Sequence, residues 1–150
     1  MPHTVPNEIL VPEIGRLLKE GKEVRFTPTG VSMRPFIEGG RDSVILRRLD
    51  RTPRRGDVLL CSTTSLSGAQ TFVLHRVRKV TPENIILQGD GNIQGEETIL
   101  PENVIGIVAR IESPNGHRKP ILRAYFWQWI RPTRWFWLKV YRHTFLKWCY

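Results

Sequence analysis

The chain has 150 residues, of which 40% are hydrophobic, so it is long enough for one domain with a single core and too short for two ordinary domains. Its formal net charge of +9 is confined to one end: residues 1–112 hold 15 basic and 14 acidic residues, whereas residues 113–150 hold eight basic residues and no acidic ones. This distribution argues against a uniformly basic nucleic-acid-coating protein, and two cysteines are too few for a disulfide framework.

The N-terminal segment and the apolar runs bear on where the chain resides. Residues 1–18 include acidic residues and no apolar stretch of signal-peptide length. Nowhere in the sequence do 18 consecutive apolar residues occur, as an ordinary membrane-spanning helix requires. Cys61 lies in an apolar run and Cys149 lies beside the C-terminus, which favours reduced thiols. We therefore expect a cytoplasmic protein.

The predicted elements begin with a helix and continue as strands. Residues 11–20 predict a short amphipathic helix, with Pro12 in its first turn and Gly21 ending it. Six short β-branched runs bounded by turn residues predict strands over residues 24–27, 43–48, 57–62, 71–80, 84–87 and 104–111. Because no helical pattern separates these runs, we expect a mostly β fold, with a coiled antiparallel sheet or partly open barrel.

The chain divides by composition into three parts. Residues 113–116, Ser-Pro-Asn-Gly, predict a turn that leads out of the sheet. We therefore assign residues 1–22 to an N-terminal helix, residues 23–112 to a β core and residues 113–150 to a C-terminal extension.

One serine stands in a setting that can present it at the rim of the sheet. Ser32 follows the first strand and lies between Gly30, which frees the backbone, and Pro35, which prevents a regular ladder. The apolar Val31 and Met33 flank it, so its neighbours can face inward while its hydroxyl stays accessible. A serine beside glycine and proline is more often a turn residue, and a nucleophilic serine needs a base nearby.

A histidine in the fourth predicted strand is the candidate base. Strand alternation places His75 on one face with Val73 and Val77, and a neutral imidazole can act there as a general base. Asp90, in the Gly-Asp-Gly-Asn turn after the next strand, could accept a hydrogen bond from the far ring nitrogen. A packed core histidine and a plain turn aspartate are the alternatives that need no chemistry. The other histidines lack metal-ligand spacing, so we expect no metal site and no cofactor.

Five segments in this order resemble the superfamily that joins signal peptidase I to LexA-type self-cleaving proteins. They are residues 30–35 (Gly-Val-Ser-Met-Arg-Pro), 55–59 (Arg-Gly-Asp-Val-Leu), 74–77 (Leu-His-Arg-Val), 89–92 (Gly-Asp-Gly-Asn) and 104–108 (Val-Ile-Gly-Ile-Val). The match covers about residues 27–110, over half of the chain. Bacterial signal peptidases and LexA-type proteins use a lysine base, whereas His75 is similar to the Ser–His pairing of the archaeal and endoplasmic-reticulum branch.

The resemblance implies a β fold of the signal peptidase–LexA type, serine endopeptidase activity and a peptide substrate bound as an added strand. Carried over residue by residue, it gives Ser32, His75 and Asp90 the roles of nucleophile, base and orienting acid. It also implies substrate and oxyanion contacts around the nucleophile and base, at Gly30, Val31, Met33 and Leu74.

This sequence departs from the family pattern at two places. Many relatives have a hydroxyl residue two places before the nucleophile that helps to hold the oxyanion, and here that place is Gly30. The oxyanion hole would then depend mainly on backbone N–H groups such as that of Ser32. Residues 93–97 (Ile-Gln-Gly-Glu-Glu) offer glutamates where the Ser–His branch usually has a further aspartate, which leaves the partner of His75 open.

The C-terminal extension is both basic and aromatic. Of the 14 aromatic residues in the chain, 11 lie from Tyr125 onward, interleaved with arginine and lysine, and Pro132 predicts a division into two amphipathic helices. Tryptophan favours the headgroup layer, and cationic side chains are attracted to anionic lipid. We therefore expect residues 121–150 to bind a membrane surface peripherally, through Trp127, Trp129, Trp135, Trp137, Arg131 and Arg134.

Two other interpretations of the extension remain open. It could be a terminal helix that covers an open sheet edge, or, as the least favoured interpretation, a nucleic-acid-binding segment. For the whole chain we predict a serine endopeptidase that removes a leader or propeptide at the inner face of the membrane. The alternatives are a non-catalytic relative of the same fold that binds a membrane or a partner, and a nucleic-acid-binding protein.

Overall fold

The computed structural model describes residues 6–92, 94–116, 118–119 and 133–144. The helices are α1 (Asn7–Lys19), α2 (Arg134–Thr144) and a 3₁₀-helix, Pro101–Asn103. The strands are β1 (Val24–Phe26), β2 (Ser43–Arg47), β3 (Val58–Thr64), β4 (Gln70–Val80), β5 (Ile85–Gln88), β6 (Glu97–Ile99), β7 (Val104–Glu112) and β8 (Arg118–Lys119).

The strands form one antiparallel sheet in the order β1-β2-β7-β3-β4-β5-β6, and β8 pairs with β7. Strands β1 and β6 end this path and do not pair with each other, so the sheet of the described residues is not closed. The predictions of a mostly antiparallel β fold, an N-terminal helix and a C-terminal helix are confirmed.

Helix α1 covers one face of the sheet because its apolar residues recur at helical spacing. Val11, Ile14 and Leu18 are buried on this face and join a core cluster with residues of β2, β3 and β7. At Gly106 the approach is so close that a Cβ would lie 2.4 Å from Leu18 Cδ1. The absence of a side chain at Gly106 is what lets the helix pack directly on β7.

The start of α1 differs from the prediction. The helix begins at Asn7, with Pro6 as its N-cap residue, so Pro12 lies inside the helix and not in its first turn. The Pro6 carbonyl accepts hydrogen bonds from the N–H groups of Ile9 and Leu10, which establishes the first turn. Packing on the sheet thus extends the helix past a residue that would ordinarily mark its start.

Strand β6 was not predicted. It pairs with β5, with Ile99 opposite Ile85 and Glu97 opposite Leu87. Its three residues contain one apolar side chain, Ile99, so it has no alternation that could identify it in the sequence. Its pairing with β5 is a non-local property, and it is this strand that carries Glu97.

The predicted division of the C-terminal extension at Pro132 lies outside the described residues, as do Trp127, Trp129 and Arg131. Within the part that the structure covers, no helix has the length and apolar character needed to cross a bilayer.

Candidate active site

Ser32 lies in the loop between β1 and β2. Backbone hydrogen bonds within this loop maintain its conformation. The N–H of Arg34 donates to the Val31 carbonyl over 3.2 Å, and the N–H of Ile37 donates to the Met33 carbonyl over 3.0 Å. A second contact closes the base of the loop, where the N–H of Gly40 donates to the Pro28 carbonyl over 2.8 Å. The segment on either side of Ser32 is therefore ordered by hydrogen bonds of its own.

A buried ion pair inside the same loop adds to this order. Arg34 donates to both carboxylate oxygens of Glu38, from Nε to Oε2 over 2.8 Å and from Nη2 to Oε1 over 2.6 Å. The side chain of Glu38 is 2% exposed, and its N–H donates to the Asp42 carboxylate. A bidentate pair of this kind fixes orientation as well as distance.

Two glycines allow the loop to fold back on itself. Gly30 has a φ of +92°, a left-handed conformation that other residues rarely adopt. Across from it, a Cβ at Gly39 would lie 2.0 Å from the Gly30 carbonyl oxygen. A side chain is therefore disfavoured at Gly30 by the backbone conformation and at Gly39 by this close contact.

The Gly-Asp-Gly turn after β5 packs against the backbone of Ser32. The N–H of Gly91 donates to the carbonyl oxygen of Ser32 over 2.8 Å. A Cβ at Gly89 would lie 2.4 Å from that same oxygen, and a Cβ at Gly91 would lie 2.8 Å from the Val31 carbonyl oxygen. This turn therefore positions the backbone of Ser32, and its glycines are required by close approach.

Asp90, the central residue of that turn, pairs with Arg76. Arg76 donates to both carboxylate oxygens of Asp90, over 2.8 Å from Nε to Oδ1 and 2.7 Å from Nη2 to Oδ2. It also donates to the Gly56 carbonyl over 2.7 Å, and its guanidinium lies 5.3 Å from the centre of the Phe36 ring. Because Arg76 and Asp90 are 1% and 2% exposed at the side chain, this is a buried brace that joins three loops.

Ser32 and His75 line the same pocket, which has a volume of about 160 Å³. Strand β4 supplies His75 from one side, and the loop after β1 supplies Ser32 from the other. Helix α1 closes one end with Asn7 and Val11. The fold thus brings together two groups that are far apart in the chain.

The ring of His75 is oriented by Glu97. Nδ1 of His75 lies 2.8 Å from Oε2 of Glu97, and the His75 side chain is 7% exposed. Nε2 of the same ring has no hydrogen-bond partner within the described part of the chain, so it is the nitrogen left for a reacting group. The Ser32 hydroxyl and the His75 ring share the pocket without a hydrogen bond between them. Such contacts are often long in ligand-free sites and tighten when substrate binds.

Two backbone N–H groups at Ser32 and Met33 are available as donors. Neither the N–H of Ser32 nor that of Met33 donates a hydrogen bond to any residue that the structure describes. Unused N–H groups next to a nucleophile are the donors from which an oxyanion hole is built.

The other residues predicted for this site divide between the pocket and its rim. Gly30, Met33 and Leu74 line the pocket with Ser32 and His75. Val31 lies outside it, is 55% exposed, and lines a neighbouring groove next to α2.

The residues predicted for a membrane surface also divide. Trp135 and Trp137 are 61% and 48% exposed on α2. Arg134 is 3% exposed, so its side chain does not reach that surface. Trp127, Trp129 and Arg131 lie outside the described residues.

Sequence reasoning missed two residues of the site. Glu97 was present in the sequence as one of two glutamates after the Gly-Asp-Gly-Asn turn, but nothing local separated it from Asp90 as the partner of His75. Arg76 follows His75 directly and therefore points to the opposite face of β4, where it braces Asp90. Strand alternation predicts that the two side chains diverge, and the partner of each became known only with the fold.

In comparisons with known proteins, no protein-family model, no curated protein and no solved structure matches the chain. Among the described residues there is no group of three or more histidine, cysteine or acidic side chains able to hold a metal ion. The chemistry of the site must therefore be argued from its own geometry.

Proposed function

We propose that this chain is a serine endopeptidase in which Ser32 is the nucleophile, His75 the general base and Glu97 the residue that orients His75. The observation that carries the proposal is that Ser32 and His75 line one pocket, while Nδ1 of His75 is bound by the Glu97 carboxylate. Nucleophile, base and orienting acid in this relation are the arrangement of serine hydrolases on unrelated folds.

In the proposed reaction, Ser32 Oγ attacks the scissile carbonyl carbon while Nε2 of His75 takes the hydroxyl proton. The proton then passes to the leaving amine, and an acyl-enzyme remains on Ser32. Water, deprotonated by the same nitrogen, then attacks the ester carbonyl carbon. The bond to Ser32 Oγ breaks, Nε2 returns the proton to Oγ, and the second product leaves as a carboxylic acid. Glu97 keeps the proton on Nδ1 and stabilises the imidazolium that forms in both steps.

The oxyanion of each tetrahedral intermediate would be held by backbone N–H groups, those of Ser32 and Met33 being unused. Because Gly30 contributes no hydroxyl, the position of the Ser32 backbone is decisive for this reaction. The hydrogen bond from Gly91 to the Ser32 carbonyl supports that position. We assign Asp90 this supporting role through its turn, and Glu97 the orienting role.

We further propose that the substrate binds in extended form between two free strand edges, and that the fold is of the signal peptidase–LexA type. Among the strands that the structure describes, β1 pairs with β2 and has no partner on its other side. Strand β4 pairs with β5 only from Arg76 onward, so its residues 70–75 have one free edge among the described strands. Phe26 of β1 and residues 72–75 of β4 both line the pocket, which fits a peptide added as a strand.

The test is cleavage of a randomised peptide library together with labelling by acylating active-site probes. We expect wild-type protein to cleave peptides and to carry the probe on Ser32, and the Ser32→Ala and His75→Ala variants to do neither. Ser67→Ala, which removes an exposed turn hydroxyl, is the matched control and should behave as wild type. Equal cleavage by Ser32→Ala would refute the proposal, and absence of any cleavage or labelling would favour a non-catalytic relative.

A further inference from the structure

Helix α2 buries one stripe of side chains and exposes aromatic side chains around much of its remaining circumference. Arg134 and Leu138 are buried and Tyr141, which follows at helical spacing, is half-buried, so the inner face follows a helical stripe. An electrostatic interaction links Tyr141 to Arg41 in the loop between β1 and β2. Burial raises the pKa of the Tyr141 hydroxyl, which is consistent with its place between helix and loop. Since the inner face is occupied by these residues, the tryptophans of α2 are not its packing surface.

The exposed surface of α2, which we call its outer face, carries large apolar side chains. Three adjacent aromatic side chains, Trp135, Phe136 and Trp137, are 61%, 55% and 48% exposed. Trp135, Phe136 and Val140 also border a shallow hollow of about 310 Å³, with Lys139 and His143 at its edge. Contiguous apolar surface of this kind, bordered by polar side chains, marks an interaction site.

The charge of this region favours an anionic partner. Lys139 and Arg142 lie on the exposed part of α2, and no acidic residue occurs in the chain after Glu112. Cations beside exposed tryptophans suit a lipid interface, where the rings enter the headgroup layer and the ammonium groups stay at the phosphates.

The geometry of the aromatic rings favours lipid over nucleic acid as the partner. The ammonium of Lys139 lies over the Trp135 ring, 5.2 Å from its centre. Phe136 and Trp137 pack edge to face, with centres 5.6 Å apart and an angle of 80° between the rings. Base stacking needs open aromatic faces, whereas insertion into a headgroup layer needs only apolar area.

We propose that the outer face of α2 binds an anionic lipid surface and holds the Ser32 loop at that surface. The link is the groove of about 770 Å³ lined by Val31, Arg34 and Gly91 together with Trp135, Lys139 and other residues of α2. Val31 immediately precedes the nucleophile and is 55% exposed at this groove. The proposal concerns the site described above but does not need that site to be catalytic.

Binding is tested with the Ser32→Ala protein, so that a failure of the peptidase proposal leaves the measurement unaffected. We expect it to sediment with vesicles of phosphatidylcholine and phosphatidylglycerol and not with phosphatidylcholine alone. Replacing Trp135, Phe136 and Trp137 by serine, or Lys139 and Arg142 by glutamate, should weaken binding about tenfold or more. Matched controls are Leu66→Ser and Lys79→Glu, which change exposed residues on other parts of the surface and should bind as wild type.

The position of the Ser32 loop is tested with an environment-sensitive fluorophore on Val31→Cys in a Cys149→Ser background. Its emission should shift to the blue when anionic vesicles are added, whereas the same fluorophore on Leu66→Cys should not respond. Undiminished vesicle binding by the α2 variants would overturn the proposal. So would tighter binding to RNA than to vesicles at equal salt concentration, or a fluorophore response at position 66 and none at position 31.

Discussion

At the residue scale, the decisive feature is that His75 and Arg76 take different carboxylates. Adjacent residues of a strand point to opposite faces, so one carboxylate cannot serve both. Glu97 reaches the His75 ring over 2.8 Å, and Asp90 is bound bidentately by Arg76. A carboxylate held by a buried guanidinium is already committed as an acceptor, which leaves Glu97 as the partner of the imidazole.

The first prediction concerns Glu97. Replacing it by glutamine should lower kcat about 10²–10⁴-fold, because an amide favours the wrong tautomer of His75 and does not stabilise the imidazolium. Glu97→Asp should restore part of the activity. The neighbouring Glu96, which pairs with Arg78 instead, supplies the control: Glu96→Gln should leave kcat within a few-fold of wild type.

Thermal unfolding of the same variants separates orientation from folding. Glu97 is partly exposed, so we expect Glu97→Gln to unfold within a few degrees of wild type while its kcat falls. Unchanged kcat in Glu97→Gln would remove this residue from the mechanism.

A second prediction concerns the thiol of Cys61, which is buried between the strands. Burial raises its pKa to about 12, so the native thiol is almost fully protonated at pH 8 and should resist alkylation. In a Cys149→Ser background, the labelling rate should rise with urea in step with unfolding. The pKa of the Cys61 thiol is higher in the folded protein than in the unfolded chain. The contribution of this thiol to the free energy of unfolding is therefore complete below the unfolded-state pKa, and the free energy of unfolding should decrease as pH rises from that value toward 12. Rapid labelling of the folded protein at pH 8 would contradict this account.

At the scale of elements, the strands with clear alternation were predicted from the sequence, and the contacts between elements were not. Strand β4 was predicted over residues 71–80 and extends over Gln70–Val80, since ten residues of β-branched and alternating character leave little choice. Strand β6 was missed because its existence depends on pairing with β5. The same dependence hid Glu97 as the partner of His75. Ser32 and His75 were singled out by their local sequence together with the family resemblance, and the structure places both at one pocket.

The third prediction concerns the brace formed by Arg76 and Asp90 between β4, the turn after β5 and the loop before β3. Asp90→Asn should destabilise the protein by about 3–5 kcal/mol, because it leaves a buried guanidinium without its counter-charge. Asp57 provides the matched control, since it also binds an arginine, Arg51, with two hydrogen bonds but with side chains 17% and 33% exposed. Asp57→Asn should cost no more than about 1 kcal/mol.

Urea titrations of the two variants measure the difference. If Asp90 were instead the orienting acid, Asp90→Asn would retain wild-type stability and lose activity. That result would give Asp90 the role of orienting His75, which we assign to Glu97.

At the scale of the whole molecule, the open sheet determines how a peptide could enter. The antiparallel order ends at β1, and β4 extends beyond its pairing with β5, so two strand edges border the pocket of Ser32 and His75. Exposed edges are sites where another strand can add through main-chain hydrogen bonds. In the proposed binding mode, the sheet edges bind the backbone of the peptide and the side chains of the pocket select among peptides.

The last prediction follows from this geometry and uses a cleaved peptide in which one backbone nitrogen at a time is methylated. In an extended peptide, successive N–H groups point to opposite sides, so the two edges engage them in alternation. Methylation should lower kcat/KM about tenfold where the N–H meets a strand edge, since each blocked hydrogen bond contributes roughly 0.5–1.5 kcal/mol and the methyl group also obstructs the edge. The effects should therefore vary with a period of two residues along the peptide. A peptide that binds in a turn or through its side chains alone would show no such period, and this result would reject strand addition while leaving Ser32 and His75 as the reacting pair.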